Sequence, residues 1–227
     1  TGAVAISTIP VGSIVFEENT KYYNSVIDWR VISTNNHYAD TNNPGIVNHT
    51  TLISDRILMI KAFDARETSN TNADRKLYGN NRYSVSNIRQ WLNKEGSSWY
   101  ANRHTTDASP ISANLWSSHN PYAAEVGFMS NLSSGLKAAL VSTNLVTARA
   151  TIDGGGTEVV TDKLFLLSRT EMGLGDERAG MPEGKPFAIF SSNASRVAYP
   201  TSQAVSNSTY KDTTNLTSTK GWYYWMR

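Results

Sequence analysis

The last six residues of the chain, WYYWMR, hold four large aromatic side chains and one guanidinium. Because chain ends usually fray, a group this large must either pack into the core or form a contact surface. In an extended segment Trp222 and Trp225 point to opposite faces. We expect one of them to pack inward and the other to form a ligand-binding surface with Tyr223, Tyr224 and Arg227. The alternative is that the whole group has a structural role.

The composition favours one domain with a polar, weakly charged surface. A chain of 227 residues can bury one sizeable core. Its charged residues make up only 18% and give a net charge of +2 without clustering, so we expect no nucleic-acid partner. No apolar run is long enough to span a bilayer, so we expect no membrane insertion. The absence of cysteine excludes disulfides, thiolate metal sites and cysteine nucleophiles.

Short apolar segments predict β-strands in the first third of the chain. Residues 11–16 follow a proline and alternate weakly, and residues 25–33 alternate clearly, which predicts two strands. The polar segment 17–20 between them is predicted to be a turn. Residues 52–63 are β-branched enough for a third strand, although 57–60 are also compatible with a helix.

Helix and turn signals organise the rest of the chain. Ser84 or Ser86 can cap a helix that ends near Gly96, and a second helix is predicted at about 132–140. The turn sequence DGGG separates two predicted strands, 141–152 and 157–167. Long polar segments are predicted to be loops, at about 35–50, 66–82, 97–125 and 191–220. The sequence therefore predicts an α+β fold.

Four sequence blocks, taken in order, resemble a known family. They are VIDWRV, SNIRQWLN, TDKLFLLS and YYWMR, and they span roughly residues 11–227. Together they are similar to an uncharacterised domain family of phage and Gram-positive bacterial proteins that shares IRxWLN, TDKIFLLS and WWLRS blocks.

The resemblance implies a C-type-lectin-like fold, related to that of formylglycine-generating enzymes. Such a fold has small twisted antiparallel sheets, two short helices and long loops. The resemblance implies a single domain over 11–227, and we expect residues 1–10 to form an N-terminal arm. Members of the family usually continue to a closing strand, whereas this sequence stops at Arg227. Whether that final strand is missing or supplied by another chain stays open.

Candidate ligand-binding residues lie in two places. The first is the C-terminal group, Trp222, Tyr223, Tyr224, Trp225 and Arg227. The second is the exposed face of the SNIRQWLN helix, which carries Arg89 and Asn93. The alternative for those two residues is that they hydrogen-bond loop backbone.

Catalytic signatures are scarce. The chain contains no Gly-x-Ser-x-Gly motif and no His-Glu-x-x-His motif, and its four histidines lie in predicted loops. The acidic pairs 17–18 and 176–177 are typical of solvated loops. The copper-dependent branch of the related fold needs paired cysteines, and the calcium-binding EPN or QPD loop of C-type lectins is absent. We therefore expect no enzyme activity, no cofactor and no metal.

These patterns favour a binding or display module of a phage virion or a bacterial surface. Its expected partners are a cell-surface glycan or protein and other virion subunits, and we expect a homo-oligomer in a virion, extracellular or cell-surface location. The first alternative is a structural virion protein of the tail, baseplate or capsid decoration, whose aromatic residues pack against neighbouring subunits. The second is a surface-glycan hydrolase that uses loop carboxylates.

Overall fold

A computed structural model describes residues 4–227 of the chain. Residues 1–3 of the predicted N-terminal arm therefore lie outside the described part, and the arm is described only from Val4 onward. A short 3-10 turn at Ile6–Thr8 precedes the first sheet. That sheet is antiparallel, with the order β1-β2-β3. Its strands are β1 (Ile14–Tyr22), β2 (Ser25–Ser33) and β3 (Thr51–Ser54).

The turn between β1 and β2 lies later than predicted. The expected turn at 17–20 is wrong, because β1 continues to its end and the chain reverses at Tyr23 and Asn24, which both have positive φ. The polar residues instead form an irregularity in the middle of β1, where the pairing register shifts. There the Thr20 hydroxyl donates to the Glu17 carboxylate at 2.7 Å. This local bond satisfies polar groups that would otherwise favour a turn.

β2 has the predicted bounds and the predicted alternation, with Ile27 and Val31 buried and Val26 exposed. β3 is shorter than the predicted strand 52–63. The Asp55 N–H still donates to the carbonyl of the β2 residue Asp28 at 2.9 Å, after which the chain leaves β2 and the Ile57 N–H donates to the Tyr199 carbonyl at 3.0 Å. The apolar residues that follow pack against the core without a neighbouring strand.

Four six-residue helices are present in the described chain. They are α1 (Ala73–Tyr78), α2 (Asn87–Leu92), α3 (Ser134–Ala139) and α4 (Ser202–Asn207). The predictions that correspond to α2 and α3 are confirmed, although both helices are shorter than expected. α2 is capped by Ser86 and ends before Asn93 rather than at Gly96. α1 and α4 lie in segments predicted to be loops, because neither sequence has the apolar stripe that marks a helix.

A separate hairpin forms the second sheet, with β4 (Thr143–Ala148) paired antiparallel to β5 (Thr157–Asp162). The DGGG turn lies between them, and its three glycines have positive φ. β5 ends five residues before the predicted boundary at Leu167. The apolar residues 164–167 continue half-buried and meet the C-terminal segment instead of β4.

Two groups of buried apolar side chains make up the core. One is centred on Tyr83, Phe187 and Leu145, and the other on Trp91 and its aromatic neighbours. Phe63 and Leu166 pack against both groups. The predicted core position of Trp91 is confirmed. The structure is a small α+β domain with two small antiparallel sheets and few helices.

Candidate functional site

The C-terminal segment lies extended across the domain and is tied down along its length. The Trp222 N–H donates to the Ala198 carbonyl at 3.0 Å, and the Arg227 N–H donates to the Leu167 carbonyl at 3.1 Å. These two backbone bonds hold the segment against the 196–200 loop at one end and against the segment after β5 at the other. Its six large side chains are therefore divided between the interior and the surface.

Arg227 belongs to the interior. Its guanidinium forms a bidentate ion pair with Glu171, with both N–O distances 2.7 Å and side-chain exposures of 1% and 0%. The remaining N–H groups donate to the carbonyls of Val146, Leu166 and Glu183. Burial alone would lower the pKa of Arg227, but the Glu171 carboxylate outweighs burial and raises that pKa.

All five guanidinium donors of Arg227 thus have protein acceptors, and no donor is left for a ligand. Arg227 was predicted to belong to a ligand surface, whereas the structure places it as the anchor of the C-terminal segment. Glu171 is itself positioned by the Ser168 N–H, which donates to its carboxylate at 2.9 Å. Bidentate arginine–carboxylate geometry fixes orientation as well as position, so the residues just before Arg227 are held in one place.

The aromatic residues before Arg227 face outward. Tyr223 is 86% exposed, Trp225 is 55% exposed and Tyr224 is 36% exposed. Tyr224 is fixed by its hydroxyl, which donates to the Arg196 carbonyl at 2.8 Å. Trp225 is fixed by its indole N–H, which donates to the Lys61 carbonyl at 2.8 Å. The surface therefore presents three aromatic faces, and the polar ends of Tyr224 and Trp225 are bound to backbone carbonyls.

A surface cleft of about 600 Å³ is built on this segment. Its lining includes Arg196, Val197, Lys220, Trp222, Tyr223 and Tyr224. Trp225 is not part of the lining, so the two tryptophans point in different directions. The prediction that one of them packs inward is wrong, because Trp222 is half-buried and Trp225 is 55% exposed. The ring centroids of Tyr210, Trp222 and Tyr223 follow one another at 6.1 and 5.6 Å, so the aromatic surface extends beyond the cleft.

The cleft includes residues that the sequence did not single out, Arg196 and Lys220 among them. Both lie in or next to the segment 191–220, which was predicted to be a polar loop. The signal that could have found Arg196 is its isolation, since it is the one basic residue between Lys185 and Lys211.

The other two predicted contact residues lie outside the cleft. The Arg89 guanidinium donates to both oxygens of Asp162, at 3.0 and 2.9 Å. The Asn93 side-chain oxygen accepts from the N–H groups of Lys163 and Leu164 at 3.0 and 3.1 Å. These contacts join α2 to the end of β5. Asn93 bonds loop backbone, as in the alternative interpretation, and Arg89 combines its ion pair with Asp162 with a bond to the Ser84 carbonyl at 2.8 Å.

A second, smaller cavity of about 190 Å³ lies next to α4. Its wall includes Lys61 and Glu125, whose side chains form an ion pair at 2.5 Å. The Lys61 ammonium also lies 4.9 Å from the ring centroids of both Trp91 and Tyr122. Burial lowers the pKa of Lys61, and the Glu125 carboxylate opposes that change. The donors of Lys61 are thus directed at protein groups, which indicates a structural contact.

A buried acidic residue lies between α1 and α2. Asp64 accepts from the N–H groups of Asn80 and Asn87 at 2.8 and 2.9 Å. Burial raises the pKa of Asp64 to about 8, against the opposing effect of those two bonds. Glu67 nearby is fully buried and bonded to His104 and Thr106. Both carboxylates therefore bond to protein groups rather than face a cleft.

Within residues 4–227 no group of three His, Asp or Glu side chains could hold a metal ion. In the same part of the chain, no helix is long and apolar enough to cross a membrane.

The fold and the cleft define a small α+β domain that displays aromatic side chains on long loops. The chain belongs to the family described as a domain of unknown function, DUF6273, whose profile matches residues 48–227. The match covers everything from β3 to the C-terminal segment, including the cleft and the Arg227–Glu171 ion pair. No curated protein and no solved structure matches the chain.

Proposed function

We propose that this protein is a non-enzymatic binding and display module of a phage virion or a bacterial surface, and that it recognises a host glycan through the cleft beside Trp222. We also propose that its α+β architecture is a C-type-lectin-like fold. Two small sheets that carry long loops, and the four sequence blocks in their order, support that assignment. A host surface protein is the other partner that the same cleft suits.

The observation that carries the proposal is the aromatic lining of the cleft. Trp222, Tyr223 and Tyr224 line a space of about 600 Å³, which lies within the usual range for small-molecule sites. Exposed aromatic faces stack on apolar faces of sugars and on protein side chains, and nearby polar groups supply hydrogen bonds. Exposed aromatic side chains that lie next to one another are typical of interaction sites.

The cleft is also rigid, which favours binding. The segment that forms it is held by the buried Arg227–Glu171 ion pair and by the hydroxyl bond from Tyr224 to the Arg196 carbonyl. Side chains that are already ordered lose little conformational freedom when a ligand binds. The interior anchor and the exposed aromatic residues thus act together, the first holding the second in position.

A structural virion protein is the alternative, and a different surface favours it. Large apolar side chains are exposed along the N-terminal part of the described chain, at Val4, Ile6, Val11, Ile14 and Phe16. Exposed apolar residues that follow one another along a segment are typical of assembly contacts. In this alternative the N-terminal segment and β1 pack against another virion subunit or a second copy of the chain.

A glycan array and whole-cell binding, with Trp222→Ala and Tyr223→Ala beside the unaltered protein, test the proposal. Trp116→Ala is the matched control, because Trp116 is also exposed but lies outside the cleft lining. Far-UV circular dichroism and thermal melting establish that each variant is folded.

The proposal expects a restricted set of glycans or cells to bind, with binding lost in the Trp222 and Tyr223 variants and kept in the Trp116 variant. Equal binding by all four proteins would exclude the cleft as the site. Absence of binding to any glycan or cell, together with self-association that Phe16→Asp abolishes, would favour the structural alternative.

A further inference from the structure

We infer that the cleft beside Trp222 selects an anionic carbohydrate, one that carries carboxylate or phosphate groups, over a neutral one. The inference rests on the proposed function, because it names the chemistry of the ligand at that same site. It is argued from the charges that line the cleft and from the way each one is held.

The lining of the cleft has charge of one sign. Its two ionisable residues with formal charge at neutral pH are Arg196 and Lys220, and no Asp or Glu is among the lining residues. A cleft lined by one sign of charge concentrates the field and attracts ligands of the opposite sign. The chain as a whole carries a net charge of only +2, so this local excess is not a consequence of a basic surface.

Arg196 is held as a fixed positive charge without a carboxylate partner. Its guanidinium donates to the backbone carbonyls of Met172 at 2.6 Å, Phe190 at 2.7 Å and Gly173 at 3.1 Å. A further N–H donates to the Asn193 side chain at 3.1 Å. Within residues 4–227 no carboxylate lies within 4.0 Å of it, in contrast to Arg30, Arg75, Arg82, Arg89 and Arg227.

Neutral carbonyls orient this guanidinium but do not cancel its charge. The four bonds use four of its five N–H groups, and among the described residues the fifth, on Nη1, has no protein acceptor. Arginine suits carboxylate and phosphate oxygens because its planar fork is rigid and weakly hydrated. An anion in the cleft can therefore interact with a charge that is already in place.

Lys220 supplies the second charge from the other end of the segment 191–220. Its ammonium donates to the Thr214 carbonyl at 2.6 Å, which leaves two N–H groups for a ligand or water. Asp212 is an acidic residue of the same turn. Its carboxylate accepts from the backbone N–H and the side-chain amide of Asn215, both at 3.0 Å.

Those bonds from Asn215, more than Lys220, lower the pKa of Asp212. The described structure contains no ion pair between the two side chains, so the Lys220 charge remains available to the cleft. The aromatic rings and the two cations thus complement a sugar ring that bears an acidic substituent.

Two sources could supply such a ligand, a polymer of uronic acids or a polymer of polyol phosphates. Titration calorimetry with three probes separates them: an oligogalacturonate, its neutral methyl ester and an oligo(glycerol phosphate). Each probe is titrated into the unaltered protein, Lys220→Ala, Lys220→Glu and Lys220→Arg, at low and at high salt. Lys21→Ala is the control, because Lys21 is exposed on β1 and outside the cleft.

The inference expects at least one anionic probe to bind more tightly than the methyl ester. Removing the Lys220 charge should weaken that binding about fivefold, since one exposed charge contact contributes about 1 kcal/mol. Reversing the charge should weaken it about 25-fold on the same reasoning. Lys220→Arg and Lys21→Ala should bind like the unaltered protein. In these three proteins added salt should weaken binding of the anionic probe and leave binding of the neutral ester nearly unchanged.

Binding of the ester and the acids with equal affinity, still dependent on Trp222, would overturn the anionic preference and leave the proposed function intact. Tighter binding of an anionic probe that Lys220→Glu leaves unchanged would place the selectivity elsewhere and would also overturn the inference. If no probe binds, the inference is contradicted, and the glycan array with the Trp222 and Tyr223 variants decides the proposed function separately. Preference for the uronate or for the phosphate identifies which source supplies the ligand.

Discussion

Replacing Arg227 with alanine removes the guanidinium that neutralises Glu171 in the interior. The carboxylate is left with the Ser168 N–H, which donates to it at 2.9 Å, and with no opposing charge. Both side chains are almost fully buried, with exposures of 1% and 0%, so water cannot replace the lost partner without opening the structure. The backbone carbonyls of Leu166 and Glu183 also lose a donor.

The expected loss of stability in the Arg227→Ala variant follows from the burial of this ion pair. Breaking a buried ion pair by removing one partner costs about 3–5 kcal/mol, because the charge that remains is unsatisfied. Removal of an exposed charge costs about 0–1 kcal/mol. Lys137→Ala is the matched control, since its ion pair with Glu95 is partly exposed on both sides. We therefore expect the Arg227 variant to lose at least three times as much stability as the control.

Urea unfolding followed by tryptophan fluorescence measures the difference. The six tryptophans of the chain give a strong signal, and linear extrapolation yields the free energy of unfolding of each variant. The double variant Arg227→Ala with Glu171→Gln removes both charges, and Glu171→Gln alone completes the cycle. The double variant should recover about 0.5–3 kcal/mol relative to the sum of the single variants, because the buried charge is gone.

A loss below about 1 kcal/mol for Arg227→Ala would refute the reasoning. It would mean that the carboxylate is solvated or that the segment does not dock as described. Additive effects in the double variant would likewise contradict a direct coupling between the two side chains.

Three further changes test other parts of the structure. Asp64 has a pKa of about 8 instead of its ordinary 3.8, so the native state holds a proton that the unfolded state has lost between those values. The free energy of unfolding should therefore fall as pH rises from about 4 to about 8, by at most ~1.4 kcal/mol per pH unit, and Asp64→Asn should reduce that slope in urea titrations. Gly184→Ala should lower the free energy of unfolding by about 1–3 kcal/mol, because Gly184 has a φ of +102° and a Cβ there would lie 2.7 Å from Glu171 Oε1. Differential scanning calorimetry should then show a lower melting temperature. Lys61→Met should lower the free energy of unfolding in urea by about 1–2 kcal/mol, less than Arg227→Ala does, because Glu125 is a third exposed and can be hydrated. A loss equal to that of Arg227→Ala would contradict this ranking.

Local patterns predicted those parts of the fold that depend on local physics. In β2, Ile27 and Val31 are buried while Val26 and Asp28 are exposed, as the alternation predicts, and only Ile32 near its end breaks the pattern by being buried as well. Ser86 caps α2, as its position before an apolar stripe indicates. The glycines of the DGGG turn adopt the positive φ that only glycine reaches without strain. In each case a few neighbouring residues carry the whole signal.

The predictions that were wrong concern elements whose bounds depend on contacts between residues distant in sequence. The Thr20 hydroxyl accepts from the Ser133 N–H at 3.1 Å, and this distant contact holds the turn-like segment within β1. β3 ends early because the Tyr199 carbonyl, far along the chain, accepts from Ile57. No pattern within the sequence indicates those partners.

The candidate site shows the same division. The sequence shows the aromatic group at its end but does not show whether that group is buried or exposed. That depends on Glu171, which is 56 residues from Arg227, and on the carbonyls that hold Arg196. Both are consequences of how loops pack, so the division of the segment into an interior anchor and an exposed surface could not be read from composition.

The central claim is that the residues before Arg227 form the contact surface while Arg227 itself anchors them. Side-chain photo-oxidation footprinting, with and without the bound oligosaccharide, tests it most directly because it reads the exposure of each aromatic residue. The account predicts that ligand protects Trp222 and Tyr223 from oxidation and leaves Trp116 unchanged. Protection of Trp116 with no change at Trp222 and Tyr223 would contradict it.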